Sequence, residues 1–213
     1  HGSGFLAVFI VGLLIGDVEN FFYSVLAKNV ESVAKGAGYH VVLCNSDDDP
    51  EIEREYLKLL DAMRVDALIV TPTSRNRRDL ARLHDKGMVI VQVDRRVDGL
   101  VADAILVDNE SGAEHAVSHL IEAGHRRIGI LTGDLAVPTA QHRLAGYERA
   151  LKDAGIPVRQ ELVKTGSFHR EHAIEDATDL IRAVPAPTAV FAANNILAEA
   201  TLIALGQDGL RVP

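Results

Sequence analysis

Six side chains able to hold a small polar molecule, Asp108, Asn109, Thr132, Asp134, Thr139 and Arg143, follow two short apolar runs at residues 105–107 and 128–131. Carboxylates, amides, hydroxyls and a guanidinium gathered at the carboxyl ends of parallel strands are the groups with which open α/β sheets bind ligands. Asp108 also stands where it can cap a helix whose apolar residues, Ala113, Ala116, Val117, Leu120 and Ile121, recur at helical spacing until Gly124. The segment therefore points to a receptor for a small molecule rather than to an enzyme.

Motifs for catalysis do not compete with that reading. The first apolar run is followed by no G-x-G-x-x-G, and no phosphate-binding G-x-x-x-x-G-K or G-x-S-x-G elbow occurs anywhere. Asp47, Asp48 and Asp49 have the composition of a magnesium or phosphoacceptor site at a strand end. They serve equally as a loop followed by the N-cap of the next helix. His115 and His119 are four residues apart, a spacing that can place two imidazoles on one metal. Ala116 stands where a zinc-protease motif needs glutamate, so no metal, cofactor or catalytic residue is expected. His125 is expected to bond backbone at a helix-to-strand turn.

The elements that position these groups alternate along the whole chain. Apolar runs at residues 8–15, 41–44, 67–71, 89–93 and 104–107, then 127–132, 161–165 and 188–192, are separated by helical patterns, as in a parallel sheet wrapped by helices. The clearest helix is 50–63: Asp49 as N-cap, Pro50 in the first turn, and Ile52, Tyr56, Leu59, Leu60 and Met63 as the buried stripe. Phe22, Val25, Leu26, Val30, Val33 and Ala37 form a similar stripe in the first helix. Further helices are expected at about 140–154, 170–183 and 195–206, each stopped by glycine or proline or ending near one.

Composition excludes several classes. With 213 residues, 47% of them hydrophobic, the chain can bury a sizeable core and is not a disordered segment. Thirty acidic against 22 basic residues give a net charge of −8, which repels nucleic acid unless a local basic patch overrides it. The arginine clusters at 75–78, 95–96 and 126–127 are short and separated. One cysteine, Cys44, inside an apolar run, forms no intrachain disulfide and fits a reducing cytoplasm. The run at 5–15 is too short for the ~20 residues of a spanning helix. Residues 1–4 read as a tag remnant.

Three stretches, "VDN" at 107–109, "HLIEAGHRRIGILTG" at 119–133 and "RLAGYERAL" at 143–151, resemble the effector-binding core of the lactose-repressor and galactose-repressor (LacI/GalR) family of bacterial transcription regulators. Residues 11–70 are similar to that family's opening β-α-β-α-β run, and 187–213 to its later strand and helix. The resemblance implies a two-lobed periplasmic-binding-protein-like α/β fold, and the alternation of elements places an N-terminal lobe at 5–125 and a C-terminal lobe at 126–213. It implies a small polar effector such as a sugar, polyol or nucleobase held between the lobes, a homodimer, a cytoplasmic protein and allosteric control of DNA binding. DNA would be contacted only through a helix-turn-helix domain that residues 1–4 are too short to form. The core of the family also continues beyond "GLRVP", so the chain is expected to be shortened at both ends. Apolar positions on the 50–63 and 76–86 helices are the candidates for a dimer contact.

By the same resemblance the ligand contacts are Asp17, Phe22, Tyr23, Asp94, Arg95, Asp108, Asn109, Thr139, Arg143, Phe168 and Asn194. Aromatic faces suit the apolar side of a sugar or base, and the fork of Arg143 suits two acceptors at once. Capping for Asp108, a solvent-facing ion pair for Asp94 and Arg95, and core packing for Phe22 are the alternatives. The chain departs from the family in three places: Phe21 replaces a proline, Asn195 replaces an aspartate, and Val137-Pro138 stands where polar groups are common. Architectural alternatives are a solute-binding protein of a transport system and a magnesium-dependent phosphatase or phosphoacceptor domain.

Overall fold

The computed structural model of the chain describes residues 8–166 and 170–212. The chain divides into two compact units, His1–Val107 and Asp108–Pro213. In unit 1, β1 (Phe9–Ile15), α1 (Phe21–Gly36), β2 (Tyr39–Asn45), α2 (Pro50–Met63), β3 (Ala67–Val70), α3 (Arg77–Asp85), β4 (Val89–Val93) and β5 (Asp103–Ile105) follow one another, with a 3-10 turn at Ser74–Asn76 before α3. Unit 2 contains α4 (Asn109–Glu122), β6 (Ile128–Thr132), α5 (Pro138–Asp153), a 3-10 turn at Gln160–Leu162, β7 (Val163–Thr165), α6 (Arg170–Ile181), β8 (Ala189–Ala192) and α7 (Asn195–Gln207). Every paired strand is parallel, in the orders β2-β1-β3-β4-β5 and β7-β6-β8. This is the expected α/β class, and eight strands fall where the apolar runs stand.

Each sheet reverses its winding at its founding strand. The chain leaves β1 to add β2 on one side and later β3 on the other, and it treats β6, β7 and β8 the same way. The carboxyl ends of strands at such a switch point diverge into loops that leave a crevice. The two units share a packing device as well. A Cβ on Gly12 of β1 would stand 3.0 Å from Leu60 of α2, and one on Gly129 of β6 would stand 3.0 Å from Leu180 of α6. In both, a helix leucine sits directly on the central strand because that strand has no side chain there.

The units divide between Val107 and Asp108, whereas the alternation of elements suggested residue 126. Strand β5 has three residues, all exposed, whereas α4 packs along α5 and encloses Val117 with Ile128, Ile130 and Tyr147. Asp108 and Asn109 therefore belong with unit 2.

Burial corrects two helix faces. On α1, Tyr23 is the buried residue and Leu26, Ala27 and Val30 pack beside it, whereas Phe22, Val25 and Val33 are exposed. On α2 the buried residues are Glu53, Leu57 and Leu60, with Leu59 and Met63 exposed. Both helices cover one face of a sheet along a narrow stripe, so apolar residues well off that stripe stay in solvent. The caps agree with the sequence: Asp49 Oδ1 accepts from the Glu51 and Ile52 amides at 2.7 and 3.4 Å, and Asp108 Oδ1 accepts from the Ser111 amide at 3.1 Å. Cys44 is buried. His125 Nδ1 meets Thr188 Oγ1 at 3.0 Å, a side-chain rather than a backbone contact.

Candidate functional site

In unit 1 four polar side chains converge from the loops after β1, β2 and β4. Strand β4 delivers Asp94 and Arg95, α1 delivers Tyr23 from its first turn, and the β2–α2 loop delivers Asp48. Tyr23 Oη donates to Asp94 Oδ2 at 3.0 Å and accepts from Arg95 Nη2 at 3.0 Å. Arg95 then grips Asp48 through both ends of its fork, Nη1 to Oδ1 at 2.8 Å and Nη2 to Oδ2 at 3.0 Å. Its Nε lies 3.5 Å from Asp94 Oδ2, close enough for ion pairing but without a formed hydrogen bond. The Arg95 side chain is 6% exposed and that of Asp94 9%.

Burial works against the charge of Arg95, yet Tyr23, Asp48 and Asp94 together hold its pKa above the ordinary arginine value. The Tyr23 hydroxyl is pushed up, first by burial, with Arg95 opposing and Asp94 and Asp48 reinforcing the rise. Tyr23 is thus a fixed neutral donor. The loop geometry that permits this is unusual: Asp47, Asp48 and Asp94 have φ of +50°, +57° and +66°, in the left-handed region that only short polar side chains and glycine visit readily.

The acidic run after β2 is fully used by the protein itself. Asp47 Oδ1 accepts from Asn45 Nδ2 at 2.6 Å, Asp48 meets Arg95, and Asp49 caps α2. Among the described residues no three histidine, cysteine, aspartate or glutamate side chains gather as a metal ion would need.

Beneath this cluster, Glu53 is fully buried in α2. Its Oε2 accepts from the Thr73 amide at 2.7 Å, which ties the loop after β3 to α2, while Oε1 has no hydrogen-bond partner among the described residues. Burial raises its pKa above the usual carboxylate value, with the hydrogen bond from Thr73 and the charge of Arg95 opposing. A raised acid binds its proton more tightly folded than unfolded, so its stabilising contribution is present below the unfolded-state pKa. That contribution is lost as pH rises through the folded one. Unfolding free energy should consequently fall with pH from the ordinary glutamate value upward, and Glu53→Gln should flatten that fall and raise stability at neutral pH. Urea titrations followed by circular dichroism at several pH values check this; an unchanged pH profile in the variant rejects it.

In unit 2 the cluster is built on the starts of two helices. Arg143, from α5, donates through Nε to Asn109 Oδ1 at 2.8 Å and through Nη1 to the Ala193 carbonyl at 2.7 Å. It thereby links the start of α4 to the loop after β8. Asn109 is 7% exposed and Thr139 5%, and Thr132 Oγ1 at the end of β6 is buried without a hydrogen-bond partner among the described residues. Asn194 Oδ1 accepts from the Leu197 amide at 2.8 Å and caps α7.

The expected contacts therefore sort into groups. The fold unites Tyr23, Asp94 and Arg95 in unit 1 and Asn109 and Arg143 in unit 2. Asp17 is half-buried, its Oδ1 accepting from the Glu19 amide at 2.8 Å, and Phe22 is 42% exposed with its ring edge-on to Tyr23 at 5.1 Å. Asp108 acts as a cap on an exposed turn. Phe168 lies outside the described residues. The ion pair of Asp94 and Arg95 faces inward rather than solvent. Asp48 is the member that sequence reasoning missed, and the signal available for it was an aspartate in a strand-end loop beside a better capping candidate.

A sequence profile for the family described as periplasmic binding proteins and sugar binding domain of LacI family matches residues 9–213. The chain belongs to that family. Among its LacI-family relatives, the HTH-type transcriptional repressor PurR of Photobacterium profundum is 35% identical over 206 residues, which are 95% of this chain and 61% of that protein. A solved structure of a protein assigned as a ribose operon repressor in Burkholderia thailandensis superimposes with a TM-score of 0.84 at 35% identity, covering 95% of this chain and 75% of that one. The Pseudomonas putida transcriptional dual regulator Cra, solved with fructose 1-phosphate, has a TM-score of 0.84 at 27% identity, covering 93% and 73%. The chain thus spans about three fifths of the length of the curated relatives it matches, 61% for PurR. No described helix is long and apolar enough to cross a membrane.

Proposed function

We propose that the chain is the ligand-sensing core of a LacI/GalR-type transcription regulator, that it binds a small polar metabolite of the sugar, polyol or nucleobase class, and that it performs no catalysis. The observation that carries this reading is the pair of buried, mutually hydrogen-bonded polar clusters at the carboxyl edges of the two sheets. Tyr23, Asp94 and Arg95 form one; Asn109 and Arg143 form the other, with Thr139 buried in the first turn of α5. Such groups are already oriented, so a hydroxyl-rich ligand finds donors and acceptors in place, and each buried ligand group left unpaired would cost ~1–3 kcal/mol. Asp17, Phe22, Asp108, Phe168 and Asn194 complete the proposed contacts.

Ligand binding would act by population shift: the ligand favours one arrangement of a cytoplasmic homodimer only by its differential affinity for that arrangement. The names of relatives such as PurR support DNA contact through a helix-turn-helix domain. The description of the family also covers periplasmic binding proteins, but the relatives reported above are transcription regulators, so a transport role is not favoured. An in-frame helix-turn-helix upstream of the coding segment favours the regulator, and a signal sequence favours transport.

The test is a thermal-shift screen against D-ribose, other sugars, polyols, nucleosides and purines, since selective binding to the native state raises its apparent stability. A hit should be weakened by Arg143→Ala about 10- to 100-fold, the value of one charged hydrogen bond. A hit insensitive to both Arg143→Ala and Tyr23→Phe would remove these clusters from the binding site.

A further inference from the structure

Resting on that receptor reading, we infer that Asp48 is a built-in occupant of the Arg95 fork, which makes the unit 1 cluster select an uncharged, hydroxyl-bearing ligand and exclude its phosphate ester. A guanidinium aimed into a ligand site would ordinarily hold an anion bidentately. Here both ends of the fork are already satisfied by the two oxygens of Asp48 at 2.8 and 3.0 Å. The carboxylate is also the more accessible partner, its side chain 28% exposed against 6% for Arg95.

Asp48 is held where it is by more than the ion pair. Its amide donates to the Gly16 carbonyl at 3.1 Å, its backbone sits at φ +57°, and a Cβ on Gly16 would overlap its Oδ1. Glycine at 16 therefore leaves the space that the carboxylate fills. Counting charges, Arg95 contributes one positive and Asp48 and Asp94 two negative, so the cluster is net negative and repels a phosphate. What it retains for a ligand are acceptors on Asp48 and Asp94, which suit the O–H donors of a sugar or polyol.

The assignment separates from the receptor reading when the anion is used as its own probe. Inorganic phosphate is titrated against a chloride control of equal ionic strength, with melting temperature read for the wild-type chain, Asp48→Asn and Asp48→Asn/Arg95→Gln. Asparagine tolerates the left-handed backbone and leaves one acceptor for Arg95, and Asp48→Ser serves as a second opening of the fork if the first variant does not fold. The expected result is no phosphate-specific shift in the wild type, at least a roughly 10-fold tighter apparent affinity when Asp48 is replaced, as one charged hydrogen bond supplies, and loss of that gain in the double variant.

Phosphate binding by the wild type that Arg95→Gln abolishes, or no gain on opening the fork, overturns the assignment. In the same format D-ribose and D-ribose 5-phosphate are compared, and equal or tighter binding of the ester by the wild type overturns it too. If no sugar binds any form while the opened fork gains phosphate, the occupancy of the fork by Asp48 stands, whereas the selection of a hydroxyl-bearing ligand is overturned together with the sugar reading of the receptor.

Discussion

Arg95→Ala is expected to lower the unfolding free energy by about 3–5 kcal/mol, the cost of removing one partner from a buried ion pair. Three groups lose their partner together: Asp48 loses both fork contacts, Tyr23 loses the donor to its oxygen, and Asp94 loses its neighbouring positive charge. The loss comes from stranding buried acceptors rather than from the attraction alone, because exposed ion pairs contribute only ~0–1 kcal/mol. A double-mutant cycle with Asp48→Asn makes the distinction. The double variant should cost clearly less than the sum of the singles, since the carboxylate that Arg95→Ala strands is then gone. Urea unfolding followed by far-ultraviolet circular dichroism is the measurement, the chain having no tryptophan to report by fluorescence. A loss below ~1 kcal/mol would mean that water reaches the cluster and that Arg95 behaves as an exposed surface residue.

Gly146→Val should destabilise unit 2 by about 3 kcal/mol or more, and Gly146→Ala by about 2 kcal/mol, through overpacking of α5 against α4. A Cβ at this position would overlap the Glu110 carbonyl oxygen and lie 2.9 Å from both the Ala113 Cβ and the Glu114 amide. The obstacle is mainly backbone, which cannot rotate aside, so the helices must separate. Alanine gains about 1 kcal/mol of helix propensity over glycine, which offsets only part of the strain, and valine gains less. Separation also pulls Arg149 away from Glu110 and Glu114, and it moves Asn109 relative to Arg143, so ligand affinity should fall with stability. Gly112→Ala is the control. It lies on the facing helix α4 with nothing within 4 Å of its added Cβ, and it should be neutral or gain up to ~1 kcal/mol. Equal effects at 112 and 146 would show that helix propensity, not contact, decides the outcome.

The local rules of the chain read out well because they rest on near neighbours. Asp49 and Asp108 are caps by virtue of the amides two and three residues on, and glycine at 38 and 124 follows from the positive φ of the turns after α1 and α4. Strand positions follow from continuous apolar runs, which a parallel sheet covered on both faces requires. The faces of α1 and α2 read less well. Phe22, Val33, Leu59 and Met63 are apolar and at helical spacing, yet they are exposed, and periodicity alone does not say which of two overlapping stripes meets the sheet.

The candidate site shows the same division. From residue types and family resemblance, the sequence by itself determined an α/β architecture and the strand ends at which polar groups collect, and it offered Asp94, Arg95, Asn109 and Arg143 as candidate ligand contacts. Only the tertiary structure decided what those groups do to one another. That Arg95 and Asp48 meet depends on β1, β2 and β4 standing in the order β2-β1-β3-β4, which carries residues 47 apart in sequence to 2.8 Å in space. The allegiance of α4 likewise depends on Gly146 admitting its backbone against α5. Both are contacts between distant segments whose energies depend on desolvation and close approach, quantities that exist only once the chain has folded.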